Sequence, residues 1–479
     1  MASPSAFRIR GFNLCETLLR HSPEQLRRFI RRMKTLDLNT LIVHYDYGWK
    51  RYAPIIIEEC EKAGIRITLM VFGPRSFLKL AGAPASLFAK SETGEPFTAQ
   101  AECETQPCAG NPESVAAFRR GAEMYLAALP PQIRRVHMRA GDGSMYCRCP
   151  HCAQLKSDAE RFLPFASAFA EAVQKIRPDL EFETDIYCPR QALPEDPSAL
   201  RSYSFLMYDT FAASQLRPLS YAGAADETEN FNLSHFLHET PDGHCTGYHH
   251  YRHLQNWCRA FPGRMYPHVN EMVQGNRGIY PQNAPAMLAD LALFRELGCA
   301  GVCYEAYEPG YSGYARAFEA AAKAMLDPAY AAEYEPTELE KICCLGPKPV
   351  PVTELPDDFP FARYYSDPAE LELLLAFRRY IRGFGLQEGA DYMETAFREP
   401  EKWDPVWIGF TVLRAMLKFH PELKDLLSPE ECDLASRRKL WDFMEERSDH
   451  ADPLAETGAL LRDVQDKIRF LAVQKNITK

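Results

Sequence analysis

The sequence has no apolar run of about 18 residues, the length that crosses a bilayer, and no apolar stretch follows the basic residues of its N-terminal MASPSAFRIRGFN. It also has no basic excess, because 55 Lys and Arg stand against 65 Asp and Glu, for a net charge of −10. We therefore expect a cytoplasmic protein with neither a membrane nor a nucleic acid as its partner. No GxSxG elbow, P-loop or post-strand GxGxxG occurs, which disfavours serine hydrolases and nucleotide-driven chemistry.

The composition is that of a soluble globular protein, with 46% hydrophobic and 25% charged residues. A chain of 479 residues exceeds what one ordinary core organises, so more than one domain is expected. The 15 cysteines, without a visible secretion signal, favour a reducing compartment in which thiols are free, catalytic or bound to metal.

Eight short apolar or β-branched runs alternate with amphipathic helical patterns up to about residue 326. The predicted strands are 7–13, 39–46, 66–73, 134–142, 180–187, 203–210, 264–271 and 300–307. The clearest helical patterns are 22–36, 111–129, 161–176 and 285–298. The first six runs would also suit a doubly wound sheet, but a count of eight with polar strand ends predicts a (β/α)8 TIM barrel.

The rest of the chain predicts an all-α C-terminal domain. A proline-rich stretch without periodicity, LGPKPVPVTELPDDFPF, precedes the helical patterns 367–384, 402–418, 429–446 and 452–474. We therefore expect a barrel over 1–330, a linker over 331–362 and a helical domain over 363–479. Two long connections, 74–110 and 211–262, follow strands 3 and 6 and are expected to build the site or carry their own elements.

A cysteine cluster follows strand 4. Cys147, Cys149 and Cys152 form a C-x-C-x-x-C group, and Cys108 lies on the loop after strand 3, with Cys103 as its alternative. Four thiolates suit tetrahedral zinc and leave it no open position, so such an ion would brace loops instead of activating water. Unpaired thiols, or a disulfide between Cys147 and Cys152, are the alternatives.

This cysteine arrangement is similar to the zinc site of family-42 β-galactosidases, which are (β/α)8 barrels. The string CAGNPESV, followed by a strand ending in Asp and a cysteine-rich loop, also resembles a group of bacterial glycosidase-like barrels. That group is related in layout to family-20 hexosaminidases and includes endo-β-N-acetylglucosaminidases. The resemblance covers residues 1–326 and implies a glycosidase-like barrel with structural zinc.

Acidic side chains are concentrated at the predicted C-terminal strand ends, where barrel enzymes place their active sites. These positions are Glu16, Asp46, Asp142, Asp185, Asp209, Glu271, Glu305 and Glu308. Glycoside hydrolysis needs two carboxyl groups that flank the glycosidic bond. We therefore expect a glycoside hydrolase that acts on an oligosaccharide or glycan, with a β-linked hexose or N-acetylhexosamine as the expected sugar.

In the clan of family 42, the acid follows strand 4 and the nucleophile follows strand 7, which the resemblance carries to Asp142 and Glu271. The sequence departs from both families at strand 4. Family 42 has Asn-Glu where this chain has Gly141-Asp142, and Gly143 replaces the Glu of the family-20 H-x-G-G-D-E string. Glu305 is therefore the natural second carboxylate, and its apolar, aromatic neighbours in CYEAY suit a proton donor.

The expected substrate-binding residues lie around the same strand ends: Asn270, His44, Asp46, Trp49, Tyr208, Asp209 and Tyr307. His44-x-Asp46 is similar to the metal ligands of barrel deacetylases, although the companion histidines of those enzymes are absent. A metal-dependent sugar deacetylase or isomerase and a non-catalytic carbohydrate-binding barrel therefore remain as alternatives. The His-rich stretch 243–253 favours a polar insertion helix over a metal site, and homo-oligomer formation stays open.

Overall fold

The computed structural model describes most of the barrel and part of the C-terminal region. Described are residues 6–474 without 15–17, 20, 96, 98–105, 142–145, 188–189, 211–216, 222–246, 270–283, 307–310, 347–355, 357, 361–409, 411–412, 414–416, 418–423, 426, 438–439, 448–449 and 451–452. All structural statements below concern these residues. None of the helices in this part of the chain is long and apolar enough to cross a membrane.

Eight parallel strands close into a barrel in chain order, which confirms the predicted TIM barrel. The strands are β1 Ile9–Asn13, β2 Thr40–His44, β3 Arg66–Phe72, β4 Arg135–Arg139, β5 Glu181–Ile186, β6 Phe205–Asp209, β7 Met265–Val269 and β8 Gly301–Glu305. Each lies inside its predicted run, and the pairing of β1 with β8 completes the closure.

Helices follow the strands around the barrel. They are α1 Pro23–Thr35, α2 Trp49–Ala63, α3 Gly73–Leu80, α4 Pro112–Ala127, α5 Asp158–Ile176, α6 Gly247–Ala260, α7 Ala284–Glu296 and α8 Tyr311–Leu326. Helix α1 begins where the sequence predicts, because Ser22 and Gln25 form a reciprocal capping box ahead of its apolar stripe. Both long connections carry a helix, α3 in the first and α6 in the second, and α6 includes part of the His-rich stretch.

Short helices and three C-terminal helices complete the described elements. These are α9 Tyr330–Glu333, α10 Glu338–Cys343, α11 Pro429–Ser436, α12 Leu440–Glu446 and α13 Pro453–Gln474. The predicted patterns over 429–446 and 452–474 thus contain helices, whereas 367–384 and most of 402–418 lie outside the described residues. The C-terminal region is therefore helical in part, as expected.

The barrel has two cores, one inside the strands and one between the strands and the helices. The inner core includes Ile9, Ile42, Met70 and Met207. Two strand glycines allow close approach around it, because a Cβ at Gly11 would lie 2.1 Å from the Thr40 carbonyl oxygen and one at Gly301 would lie 1.9 Å from that of Ile9. Side chains alternate along each strand, so the residue at each C-terminal end decides what the barrel mouth contains.

Candidate active site at the barrel mouth

The mouth of the barrel holds a buried polar layer contributed by the last inward-facing residue of most strands. Its members are Asn13, His44, Arg139, Asp185, Asp209, His268 and Glu305, all at most 5% exposed. Burying so many charges without pairing is costly, and such groups concentrate at functional sites. This layer is therefore the candidate site.

Two arginines hold one of the three acids. Arg190 Nη2 lies 3.1 Å from Asp185 Oδ1, and Arg139 Nε lies 3.3 Å from Asp185 Oδ2. Burial alone would raise the pKa of Asp185, but Arg190 and Arg139 outweigh it and hold this pKa below its ordinary value. Asp185 is therefore an ionised residue that fixes the two arginines, and is not suited to donate a proton.

Arg139 connects this group to the next acid. Its Nη2 lies 3.8 Å from Asp209 Oδ2, and its guanidinium stacks over the rings of Tyr187 at 4.4 Å and Phe72 at 5.6 Å. Asp209 Oδ2 also lies 3.0 Å from His268 Nδ1. The acids of β5 and β6 thus share one cation, and Asp209 has a histidine as its second partner.

Glu305 ends β8 and is 1% exposed. It lies opposite Asn13 in the register of β1 and β8. Glu305 therefore lies in one buried layer with His44 and Asp209. The other predicted catalytic residues, Asp142 and Glu271, lie outside the described residues, as do Asn270 and Tyr307.

Three predicted substrate-binding residues have structural contacts instead. Asp46 accepts hydrogen bonds from the Phe72 amide and the Ser76 hydroxyl, and so holds the start of α3. Tyr208 faces away from the barrel axis, and its hydroxyl lies 3.3 Å from His250 Nδ1 on α6. Trp49 begins α2 and packs in the core between strands and helices. Each of the three side chains thus has a structural contact, and its role in substrate binding stays a prediction.

A second polar layer lies below the mouth. His137 Nδ1 lies 3.3 Å from Glu183 Oε1, and the Tyr266 hydroxyl donates to the same oxygen at 2.8 Å. His137, from the string that resembles family 20, is fully buried and belongs to this inner layer. The pKa of Tyr266 is raised well above its ordinary value, chiefly by burial, so its hydroxyl stays a donor.

Sequence reasoning missed Arg139, Arg190 and His268 as residues of the mouth. A signal was available for two of them, because side chains two positions apart share a face of a strand. In β4, His137 and Arg139 alternate with outward Val136 and Met138, and in β7 Tyr266 and His268 alternate in the same way. Arg190 follows β5 in a loop, where no periodicity signals its direction.

The four predicted cysteines form one cluster beside the mouth. The Sγ atoms of Cys108, Cys147, Cys149 and Cys152 all lie within 4.8 Å of one another. The Cys108 sulfur is 3.4 Å from that of Cys147 and 3.8 Å from those of Cys149 and Cys152. Tetrahedral zinc with Zn–S bonds of about 2.3 Å separates its sulfur ligands by about 3.8 Å, so this arrangement fits the ion.

Two backbone amides point at the sulfur atoms of the cluster. The Lys90 amide donates to Cys147 Sγ at 3.3 Å, and the Gly110 amide donates to Cys152 Sγ at 3.0 Å. Hydrogen bonds from Cys108 and Cys152 lower the pKa of Cys147, whereas the hydrogen bond with Cys147 raises the pKa of Cys108 to about 11. A bound zinc would hold the loops after β3 and β4 together, and it would have no open position for substrate.

The C-terminal helices contact another part of the same end of the barrel. Leu19, Tyr47 and Phe72 share an apolar cluster with C-terminal residues that include Phe410, Leu413, Leu440, Phe443 and Met444. The Gly48 amide donates to Glu445 Oε2 at 2.6 Å, and Arg51 donates to the His450 carbonyl at 2.7 Å. This region therefore covers the mouth on the side of β1, β2 and β3.

No protein-family model matches this sequence, and no curated protein does either. Several solved structures are similar in fold. The glycoside hydrolase domain of PgaB (BpsB) from Bordetella bronchiseptica is 12% identical, with a TM-score of 0.42 over 65% of this chain and 98% of that one. The chitobiase of Flavobacterium johnsoniae is 12% identical, with a TM-score of 0.42 over 96% and 78%.

A third neighbour, described as an L-ribulose 3-epimerase, is 13% identical with a TM-score of 0.36, over 68% of this chain and 96% of that one. Function has to be argued from the residues of the mouth, because one fold hosts many reactions.

Proposed function

We propose that this protein is a glycoside hydrolase whose carboxyl groups at the barrel mouth cleave a glycosidic bond. The observation that carries the proposal is the buried layer in which Asp185, Asp209 and Glu305 come together from three strands. Asn13 and His44 add groups that can hydrogen-bond sugar hydroxyls in the same layer. Glycosidases need such a pair of carboxyl groups in different environments.

The proposed roles follow those environments. Glu305 is the acid/base, because its 1% exposure disfavours the charged form of a carboxyl group. Glu271 is the nucleophile or stabilising carboxylate, on the resemblance to family 42, and Asp142 orients substrate. Asp209 and His44 contact the sugar, as do Asn270 and Tyr307. Carboxyl groups of Glu271 and Glu305 about 5–5.5 Å apart would indicate retention, and roughly 6.5–9.5 Å inversion.

The substrate we propose is an oligosaccharide with a β-linked hexose or N-acetylhexosamine. The cysteine cluster is proposed to bind one structural zinc ion, which holds two loops of the mouth. In the part of the chain that the structure describes, these cysteines are the one group of three or more potential ligands that converge. The metal-dependent alternative would need a second convergent set at the mouth.

The test is a hydrolysis screen over aryl α- and β-glycosides, including galactosides and N-acetylhexosaminides. We expect turnover of at least one substrate and its loss in Glu271→Gln. Binding of glycan without any turnover would contradict the proposal and favour a carbohydrate-binding barrel. Rapid loss of turnover on chelation, before any loss of heat stability, would favour a metal-dependent enzyme.

A further inference from the structure

A chain of hydrogen bonds crosses the barrel mouth through three residues that the proposed mechanism does not yet use together. Asn13 Nδ2 lies 2.9 Å from His268 Nε2, and His268 Nδ1 lies 3.0 Å from Asp209 Oδ2. All three side chains are at most 1% exposed. We call Asn13, His268 and Asp209 the relay.

The strand register places the relay directly beside Glu305. Strand β8 lies between β1 and β7 and pairs with both. Cys303 is opposite Gly11 on one side and opposite His268 on the other, whereas Glu305 is opposite Asn13. The bond from Asn13 to His268 therefore crosses the inner face of β8 between the levels of Cys303 and Glu305. Asn13 and Glu305, at the ends of paired strands, are therefore neighbours in the same buried layer.

The partners also determine where the imidazole proton lies. The Asp209 carboxylate accepts from Nδ1, so Nδ1 carries a hydrogen. The Asn13 amide nitrogen is a donor, so Nε2 accepts and carries none. The His268 ring is then held at both nitrogens, and the amide of Asn13 is held in one orientation.

We infer that the relay positions Glu305. His268 is the positioning residue, because it fixes the orientation of the Asn13 amide, and Asn13 is the neighbour of Glu305 in the strand register. This inference rests on the proposed function, in which Glu305 is the acid/base. Asp209 anchors the relay from β6, and Arg139 in turn holds Asp209. None of the three residues needs to touch the reacting atoms for this role.

The charged groups in and around the relay lie on four strands. Asp209 and Arg139 lie on β6 and β4, and Glu305 lies on β8, while Asp185 is paired with Arg139 from β5. Any of these groups can alter a pH profile, so the test compares His268 with a buried histidine that has other hydrogen-bond partners. His250 meets that need, because it is fully buried on α6 with Gln191 and Tyr208 as partners.

The experiment uses the full-length protein with His268→Gln and the matched control His250→Gln. We expect His268→Gln to lower kcat on an aryl glycoside roughly 10- to 100-fold, the range over which loss of a supporting hydrogen bond weakens the group it orients. KM should change little, and the limb of the pH profile that reports the acid should move. His250→Gln should lower Tm and leave the profile unchanged.

A measurement without substrate separates this inference from the proposed function. Nuclear magnetic resonance of 15N-labelled histidine should show His268 with its hydrogen on Nδ1, and the titration of the Glu305 carboxyl group should move in His268→Gln but not in His250→Gln. A hydrogen on Nε2, or a Glu305 titration unaffected by His268→Gln, would overturn the relay. A wild-type protein inactive on every glycoside would instead overturn the proposed function, whatever the titration shows.

Discussion

At the scale of single residues, the mouth depends on buried charged side chains that pair with opposite charges. Asp185 is the clearest case, because two buried arginines reach its two oxygens. Removing one partner of a buried pair leaves the other charges uncompensated, which is more costly than the pair itself is stabilising. The ion pairs therefore fix the positions of the side chains at the mouth, and substitution of one partner is expected to destabilise the protein strongly.

Asp185→Asn should lower the free energy of unfolding at pH 7 by about 3–5 kcal/mol. The pKa of Asp185 is lowered in the folded protein, so its contribution is present at neutral pH and is lost as the pH falls below about 4. Urea unfolding at pH 7 and at pH 3 measures the free energy of unfolding of wild type and variant at each pH. The difference between wild type and variant should shrink at pH 3, and an unchanged difference would contradict the pairing.

Asp290 behaves in the opposite way. It is buried on α7 and accepts a hydrogen bond from the Leu219 amide at 2.7 Å, and burial raises its pKa to about 8. The folded state keeps this proton while the unfolded state releases it near pH 4, so stability should fall as the pH rises from about 4 to about 8.

Asp290→Asn keeps an acceptor for the Leu219 amide and removes the titration. The variant should match wild type at pH 4 and exceed it by at least about 2 kcal/mol at pH 8.5, as measured by urea unfolding. Equal stability of the two proteins at both pH values would show that Asp290 has an ordinary pKa.

At the scale of elements, close backbone contacts set how helices sit on the barrel. Gly121 lies in the middle of α4, where a Cβ would come 1.8 Å from the Phe77 carbonyl oxygen of α3. Alanine usually stabilises a helix relative to glycine by about 1 kcal/mol. At Gly121, the overlap of the added Cβ with the α3 backbone makes the change in stability unfavourable. The backbone cannot shift to relieve this overlap without disturbing the helix.

Gly121→Ala should therefore lower Tm, despite the better helix propensity of alanine. The control is Ala127→Gly, at the exposed end of α4. Gly64, after α2, is unsuitable because its positive φ would strain an alanine. Ala127→Gly should lower the free energy of unfolding by at most about 1 kcal/mol from propensity alone, and Gly121→Ala should lower it by more. A Gly121→Ala protein more stable than wild type would contradict the packing of α3 on α4.

The strands could be predicted from sequence because each is a short buried run with polar residues at its end. It was harder to predict which side chains point into the barrel. Successive residues of a strand point to opposite faces, and the closure of the sheet into a barrel decides which face is inside. In β6, Tyr208 and Asp209 are neighbours, so only one can face the mouth, and the structure turns Asp209 inward. Arg139 and His268 were missed although each shares a strand face with a second polar residue, His137 and Tyr266 respectively.

At the scale of the whole molecule, the C-terminal region and the cysteine cluster hold different sides of one mouth. The cluster joins the loops after β3 and β4, while α12 reaches the loop after β2 through Glu445. The cysteine cluster and the Glu445–Gly48 contact each join segments that are far apart in sequence. Loss of either should therefore lower the stability of the whole protein.

Cys149→Ser should remove the proposed zinc ion and lower Tm, with less effect on substrate affinity, because metal binding is coupled to folding. Elemental analysis should give one zinc per wild-type chain and well under one in the variant. Cys432→Ser, at another partly exposed cysteine outside the cluster, should change neither value. Wild-type protein without zinc would sink the metal assignment.

Glu445→Ala should weaken the contact between the C-terminal region and the barrel, because it removes the acceptor of the Gly48 amide. We expect faster protease cleavage in the linker and a lower Tm. The adjacent Glu446→Ala is the matched control, since Glu446 pairs with Arg437 inside the C-terminal region. Equal cleavage of the two variants would mean that Glu445 does not join the two parts.

The most direct test of the account is the division of labour between the two glutamates. On an aryl glycoside whose leaving group needs no protonation, Glu305→Gln should keep much of the first step, and added azide should restore turnover. Glu271→Gln should be inactive on every leaving group. Azide rescue of Glu271→Gln with an inactive Glu305→Gln would exchange the two roles, and full activity of both variants would contradict catalysis by the carboxyl groups of this mouth.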